Sequence, residues 1–151
     1  MTRAAASMVI ALGVVLVFYG LSKAVTGTGL QHLPAQIESI TPVRSATQVQ
    51  EQERVQVDLI AGYTGVLIID NVELPTYDQS NPAVAAQPGQ QVTLPPETIF
   101  ERGNYTLTFT PQKGALVDKY NTGVNTVTVR YWKITDGPAF FKTFTWQFDV
   151  V

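Results

Sequence analysis

Apolar and polar positions follow two regimes along this chain. From Ala4 to Leu21 the run AAASMVIALGVVLVFYGL carries no charge, whereas beyond about residue 36 apolar positions tend to recur every second residue. As a helix, an uncharged run of this length would rise about 27 Å, close to the hydrocarbon thickness of about 30 Å. Extension through Ser22 to Val25, with Lys23 reaching the headgroups, removes the shortfall. Tyr19 stands where an interfacial aromatic belongs. Residues 1–25 are therefore expected to form an N-terminal transmembrane anchor, with residues 4–25 meeting the lipid bilayer. Ala6, Gly13 and Gly20 recur every seven residues and would line small side chains along one face. Such a face suits close packing against another helix, including a second copy of the chain. A cleaved signal peptide is the alternative, because Ser22 and Ala24 have the spacing of a cleavage signature. The apolar run is longer than a usual signal core, and its basic start is only Arg3 and the terminal amine, which favours the anchor.

Residues 26–35, TGTGLQHLPA, read as a linker, since Gly27, Gly29 and Pro34 break a helix. The single histidine, His32, lies there without acidic neighbours and reads as a solvated bystander. Residues 36–151 form the expected folded domain. IESIT (37–41) predicts a first edge strand stopped by Pro42, and VQVDL (55–59) puts Val55, Val57 and Leu59 on one face. AGYTG reads as a turn, and VLIID (66–70) as a strand buried on both faces. Asp70-Asn71 permits a tight hairpin into VEL (72–74). Pro75–Gln90 reads as a long loop, QVTL as a strand, and PPETIFERG as one helical turn between Pro and Gly. YTLTFT (105–110) turns Tyr105, Leu107 and Phe109 inward, and KGALVDKYNTG is a connection.

The last segment alternates twice around a Thr135–Pro138 turn. Val127, Val129 and Tyr131 share one face, opposite Thr126, Thr128, Arg130 and Trp132. Phe144, Trp146, Phe148 and Val150 then face one way, and burial of such side chains is worth about 1.5–3 kcal/mol each. The last strand is thus expected in the middle of the core. Seven to eight short strands separated by turns predict an all-β fold, an antiparallel β-sandwich, with a small closed barrel as the rival.

NTVTVRYW, the Asp136-Gly137 turn and TFTWQFDV, together with YTLTFTP, resemble the closing part of bacterial immunoglobulin-like domains of surface proteins. The resemblance covers about Tyr105 to Val151 and implies an immunoglobulin-like sandwich with a binding role. The layout of anchor, linker and GYTGVLIIDNVELP is similar to that of small single-span actinobacterial membrane proteins, which implies a topology and no activity. Copper-binding periplasmic sandwiches share a similar last hairpin, but their chemistry needs histidines that residues 36–151 lack.

Composition narrows the function. From Gln36 onward there are eight Lys/Arg and twelve Asp/Glu, hence 8 − 12 = −4, with no basic cluster of the kind that neutralises nucleic-acid phosphates. The absence of cysteine excludes disulfides, thiolate nucleophiles and Cys-ligated metal sites. With His32 alone, a Ser–His site has no base near the domain. Glu51/Glu53, expected on one strand face, and Glu97/Glu101, expected on one side of a helical turn, read as solvated pairs rather than glycosidase carboxylates. No calcium loop or Gly-rich phosphate cradle occurs, and no cofactor is expected. Trp132 and Trp146 read as core or half-core. Tyr63 and Tyr77, placed in loops, and Phe140 and Phe141, at a hairpin tip, remain as candidate interaction residues. Strand parity brings that tip back to the end where the first strand begins, facing a bilayer or a neighbouring membrane protein. The expectation is a non-catalytic accessory subunit of the cytoplasmic membrane. It would be single-pass, with its C-terminal domain outside and a protein partner in the membrane or envelope. Arg3 and the amine favour this orientation, and Lys23 and Arg44 weigh against it. The alternative is a carbohydrate- or ligand-binding module.

Overall fold

A computed structural model describes residues 32–80 and 94–151. The predicted span, with Ala6, Gly13 and Gly20, and most of the QVTL segment lie outside the described residues. Nine strands are present: β1 (Ile37–Thr41), β2 (Val55–Leu59), β3 (Tyr63–Ile69), β4 (Val72–Glu73), β5 (Thr76–Asp78), β6 (Thr98–Glu101), β7 (Thr106–Phe109), β8 (Gly123–Lys133) and β9 (Lys142–Val150). They form a five-stranded sheet ordered β1-β2-β7-β6-β5 and a four-stranded sheet ordered β4-β3-β8-β9. Every pairing is antiparallel except β5 with β6. Two separate ladders make this an all-β sandwich and not a closed barrel. The count exceeds the expected seven to eight because β5 and β6 form where a loop and a helical turn were expected.

Alternation builds the core. Val55, Val57 and Leu59 of β2 and Leu107 and Phe109 of β7 are buried from one sheet. Leu67 and Ile69 of β3, Val127, Val129 and Tyr131 of β8, and Phe144, Trp146, Phe148 and Val150 of β9 are buried from the other. Register reinforces the layers, with Leu67 opposite Val129 and Val129 opposite Phe144. Trp146 is 2% exposed, and its Nε1 donates to the Pro42 carbonyl at 2.9 Å, so its one polar group is satisfied inside. Gly65 sits where β3 presses on β8: a Cβ there would lie 2.5 Å from the Arg130 carbonyl oxygen. The Asp70-Asn71 hairpin is present, with φ of 46° and 68°. Those left-handed angles at both central residues suit the turn type that follows strand twist.

Several expectations are corrected. Thr98–Glu101 is strand β6, not a helical turn. A helix would send Thr98 and Phe100 to nearly opposite sides, whereas a strand buries both, and Phe100 packs opposite Leu107. Glu51 and Glu53 precede β2 in and after a turn, not on a strand face. The AGYTG turn shrinks to Ala61-Gly62, because Tyr63 already opens β3. β3 is fully buried on one face only, and Val66 and Ile68 on the other stay half-covered. The supposed loop from Pro75 contains β5. Tyr105 lies just outside β7, half-buried, at φ 56°.

β9 sends four large side chains inward but is the edge of its ladder, not its centre. Its outer edge is covered by residues 45–49, which leave β1 and cross to the other sheet. Ser45 N donates to Gln147 O at 2.8 Å, Asp149 N to Ala46 O at 2.8 Å, and Val49 N to Asp149 O at 3.0 Å. This strap removes the unpaired row of donors and acceptors that an edge strand otherwise presents.

The sandwich has two ends. At one, Ile60 N donates to Gln36 O at 3.1 Å and Ile134 N to Gly62 O at 2.8 Å, so the start of β1 lies beside the β8–β9 connection. The tip lies at the expected end, although Val72–Glu73 is a strand of its own and the sheets are not a meander, so strand parity does not carry that placement. The other end carries the Asp70-Asn71 hairpin and the loop before β8. His32–Val151 is one compact unit, and Leu33 already packs on the core.

Candidate functional site

The β8–β9 connection is built locally from its own sequence. Asp136 N and Gly137 N both donate to Lys133 O, at 2.9 and 3.1 Å, and Gly137 takes φ 78°, a left-handed angle that glycine adopts without strain. Pro138 then opens a single 3₁₀ turn, Pro138–Phe140. This turn lifts the following rings off the sandwich: Phe140 is 74% and Phe141 50% exposed. Phe141 leans over the outer face of β8, where the Arg130 guanidinium carbon lies 5.4 Å from its ring centroid. Arg130 is held in place by an ion pair to Glu73 at 2.7 Å. An exposed cation–aromatic contact of this kind is worth about 0.5–1 kcal/mol.

Beside the tip lies an open groove of about 550 Å³, lined by Tyr63, Tyr131, Trp132, Lys133, Phe140 and Phe141, with Asp136 and Lys142 completing the rim. Tyr63 and Tyr131 touch, with ring centroids 6.3 Å apart. Burial, and secondarily the neighbouring Tyr63, raises the Tyr131 hydroxyl above the ordinary tyrosine range. Lys133 and Lys142 continue the inward rows of β8 and β9 past the last core layer and are exposed at the rim. None of the three ion pairs among the described residues involves either lysine.

The groove gathers three of the four candidate interaction residues: Tyr63, Phe140 and Phe141. Tyr63 arrives on strand β3 rather than in a loop. Tyr77 is elsewhere, half-buried on edge strand β5 of the other sheet. Trp132, read as core or half-core, joins the site, as do Lys133 and Lys142, which were not singled out. The signal was present, because Trp132 falls on the outward parity of β8 and the two lysines bracket the tip.

The carboxylates assemble no comparable site. Asp58 accepts from Thr106 Oγ1 at 2.9 Å, from Gln56 Nε2 at 3.1 Å and from Ser39 Oγ, a cross-strand polar cluster. Glu51 pairs with Lys119 at 3.4 Å. Among the described residues no three His, Cys, Asp or Glu converge as metal ligands, and no helix is long and apolar enough to cross a membrane. No protein-family model matches the chain, and no curated protein matches it.

Proposed function

We propose that this chain is a membrane-anchored extracytoplasmic accessory subunit that acts by binding, with the aromatic tip of the β8–β9 hairpin as its contact surface. The observation that carries this reading is the exposure of Phe140 and Phe141 beside Trp132 and Tyr63, at the end where the chain enters the sandwich. Two large adjacent rings on a tip contribute little to a monomer's own core, and a clustered apolar patch marks an interaction site more often than scattered single residues do. The uncharged run Ala4–Leu21 supplies the single-pass anchor, with the domain outside the cytoplasmic membrane.

An immunoglobulin-like assignment is supported by strand order. β1, β2, β7 and β6 take the places of A, B, E and D, and β3, β8 and β9 those of C, F and G, with β4 added beside C. Tyr120, buried at the corner before β8, stands where such domains carry a corner tyrosine. The departures are the absence of a disulfide, the placement of the buried tryptophan on the last strand and not on C, a Tyr120 hydroxyl without the backbone hydrogen bond of a tyrosine corner, and β5 paired parallel beside β6.

The test is retention in native membranes followed by shielding of the tip. The wild-type chain is expected to resist alkaline carbonate extraction, and a thiol placed at Ala139 to be shielded there from a soluble reagent. The doubly substituted Phe140→Ser/Phe141→Ser chain should stay in the membrane but lose that shielding. Equal shielding in both chains would remove the tip from the binding surface. The groove itself favours a second reading, an envelope-carbohydrate site, because its volume and mixed aromatic and polar lining suit a small ligand. Glycan fragments that shift the Trp132 fluorescence would support it.

A further inference from the structure

We infer that the partner of the hairpin tip is the surface of the lipid bilayer itself, with anionic headgroups favoured. This inference rests on the anchored reading above and goes beyond it by naming what Phe140 and Phe141 touch. Three observations point to lipid. First, the side chains are graded by depth. Phe140 stands furthest out, Phe141 leans back onto β8, and Trp132 and Tyr63 lie half-buried behind them. That sequence, wholly apolar rings first and rings with a polar handle second, matches the passage from acyl chains to headgroups. Second, two lysines flank the tip, where a headgroup layer would meet them. Glu73 neutralises Arg130, so the hairpin sets Lys133 and Lys142 against Asp136, 2 − 1 = +1, with Glu38 of β1 at the same end, whereas residues from Gln36 onward carry −4. Lys133 and Lys142 belong to none of the ion pairs among the described residues, so their charges are available to phosphate. Third, the start of β1 lies at this same end, and the compact unit begins at His32, so only six residues, 26–31, separate it in sequence from the expected anchor.

The opposite end lacks this combination. Its exposed apolar side chains are aliphatic (Leu116, Val72 and Val124), and Asp70 and Asp118 lie among them.

The chain has no native cysteine, which allows a unique probe on the full-length protein. Ala139→Cys places an environment-sensitive fluorophore beside Phe140 while keeping both rings, and Leu116→Cys places it at the other end as a control. Each chain is reconstituted into phosphatidylcholine vesicles with or without phosphatidylglycerol, and quenching by nitroxide-labelled lipid is read. The expected result is strong quenching at position 139, little at position 116, and more at 139 on the anionic vesicles. Adding Phe140→Ser and Phe141→Ser should abolish the difference between the two positions. Lys133→Gln or Lys142→Gln should each lower the inserted fraction relative to the free fraction about fivefold on anionic vesicles. Circular dichroism confirms that each variant is folded.

If the chain floats with the vesicles after carbonate but position 139 is quenched no more than position 116, the lipid proposal is overturned and the anchor stands. Protection of position 139 only in native membranes, never in pure lipid, overturns it in favour of a protein partner. If carbonate strips the chain from the vesicles, the anchored reading fails. In that case, binding to anionic vesicles that depends on Phe140 and Phe141 still supports the tip, and no binding overturns it.

Discussion

The two ends of the sandwich use aromatic side chains in opposite ways. At the end away from the start of β1, Tyr120 is 1% exposed and packs edge-on against Phe148, with centroids 5.2 Å apart. Its loop is stapled inward. Tyr120 N donates to Glu51 O at 2.8 Å, and buried Asn125 donates through Nδ2 to Asn121 O at 2.7 Å and to Gly123 O at 2.9 Å. At the other end the Gly137-Pro138 pair starts a short turn that directs Phe140 into solvent. The lesson is that aromatic content alone does not place a ring inside. Backbone hydrogen bonds decide which loop folds back and which is held out.

Substitutions can break this contrast, and the largest effects should fall on the inward-turned rings. Tyr120→Ala is expected to cost about 3–5 kcal/mol, as is Trp146→Ala at mid-height, the range for truncating a buried large aromatic. Urea denaturation measures both, and a loss below about 1 kcal/mol for Tyr120 would erase the distinction between the ends. Gly65→Ala, just behind the exposed tip, should cost about 1–3 kcal/mol, because the added methyl meets backbone that cannot rotate away.

Alkaline pH sharpens the comparison at the far end. Burial first, then the charges of Glu53 and Asp70, hold the Tyr120 hydroxyl protonated well above its usual range. Above about pH 10 the unfolded chain releases this proton while the folded chain keeps it, so the unfolded state gains. Stability present below pH 10 should therefore fall by about 1.4 kcal/mol per pH unit for this group as pH rises further. Denaturation midpoints at successive alkaline pH values give that slope, and Tyr120→Phe should flatten it. Tyr131, raised in the same direction, adds a parallel loss that survives the substitution. The Tyr120 hydroxyl has no hydrogen-bond partner among the described residues, so at neutral pH Tyr120→Phe should be close to neutral or stabilising.

The smallest effect on stability belongs to the tip. Phe140→Ser/Phe141→Ser should shift the denaturation midpoint by no more than corresponds to about 0.5 kcal/mol, the usual limit for exposed positions. A large loss would show that the pair supports the fold and that the ends are less different than their exposure indicates.

Much of the sheet architecture was legible because period-two alternation states both the strand and its face. β2, β8 and β9 follow it with few interruptions, and their inward rows match the buried residues. β6 was not legible, since four residues between Pro and Gly fit one helical turn or a short strand equally well. Only pairing with β5 and β7 decides between them. Local pattern also says nothing about which strand is an edge, so the place of β9 in its ladder and the strap over it could not be read. At the site, the phenylalanine pair stood out as apolar residues in a turn. The groove did not, because Tyr63 and Trp132 come together only through the β3–β8 pairing. Tyr120 was hidden inside a stretch that reads as a connection.

The strap also imposes an order in time. Residues 45–49 are synthesised early, yet their partners in β9 follow roughly a hundred residues later, which at about 5–20 residues per second is a wait of several seconds or more. During that interval the strap has no native strand to close on, and whatever handles the emerging chain must keep it from pairing elsewhere. β9 can then be sealed as soon as it appears, because its cover is already waiting.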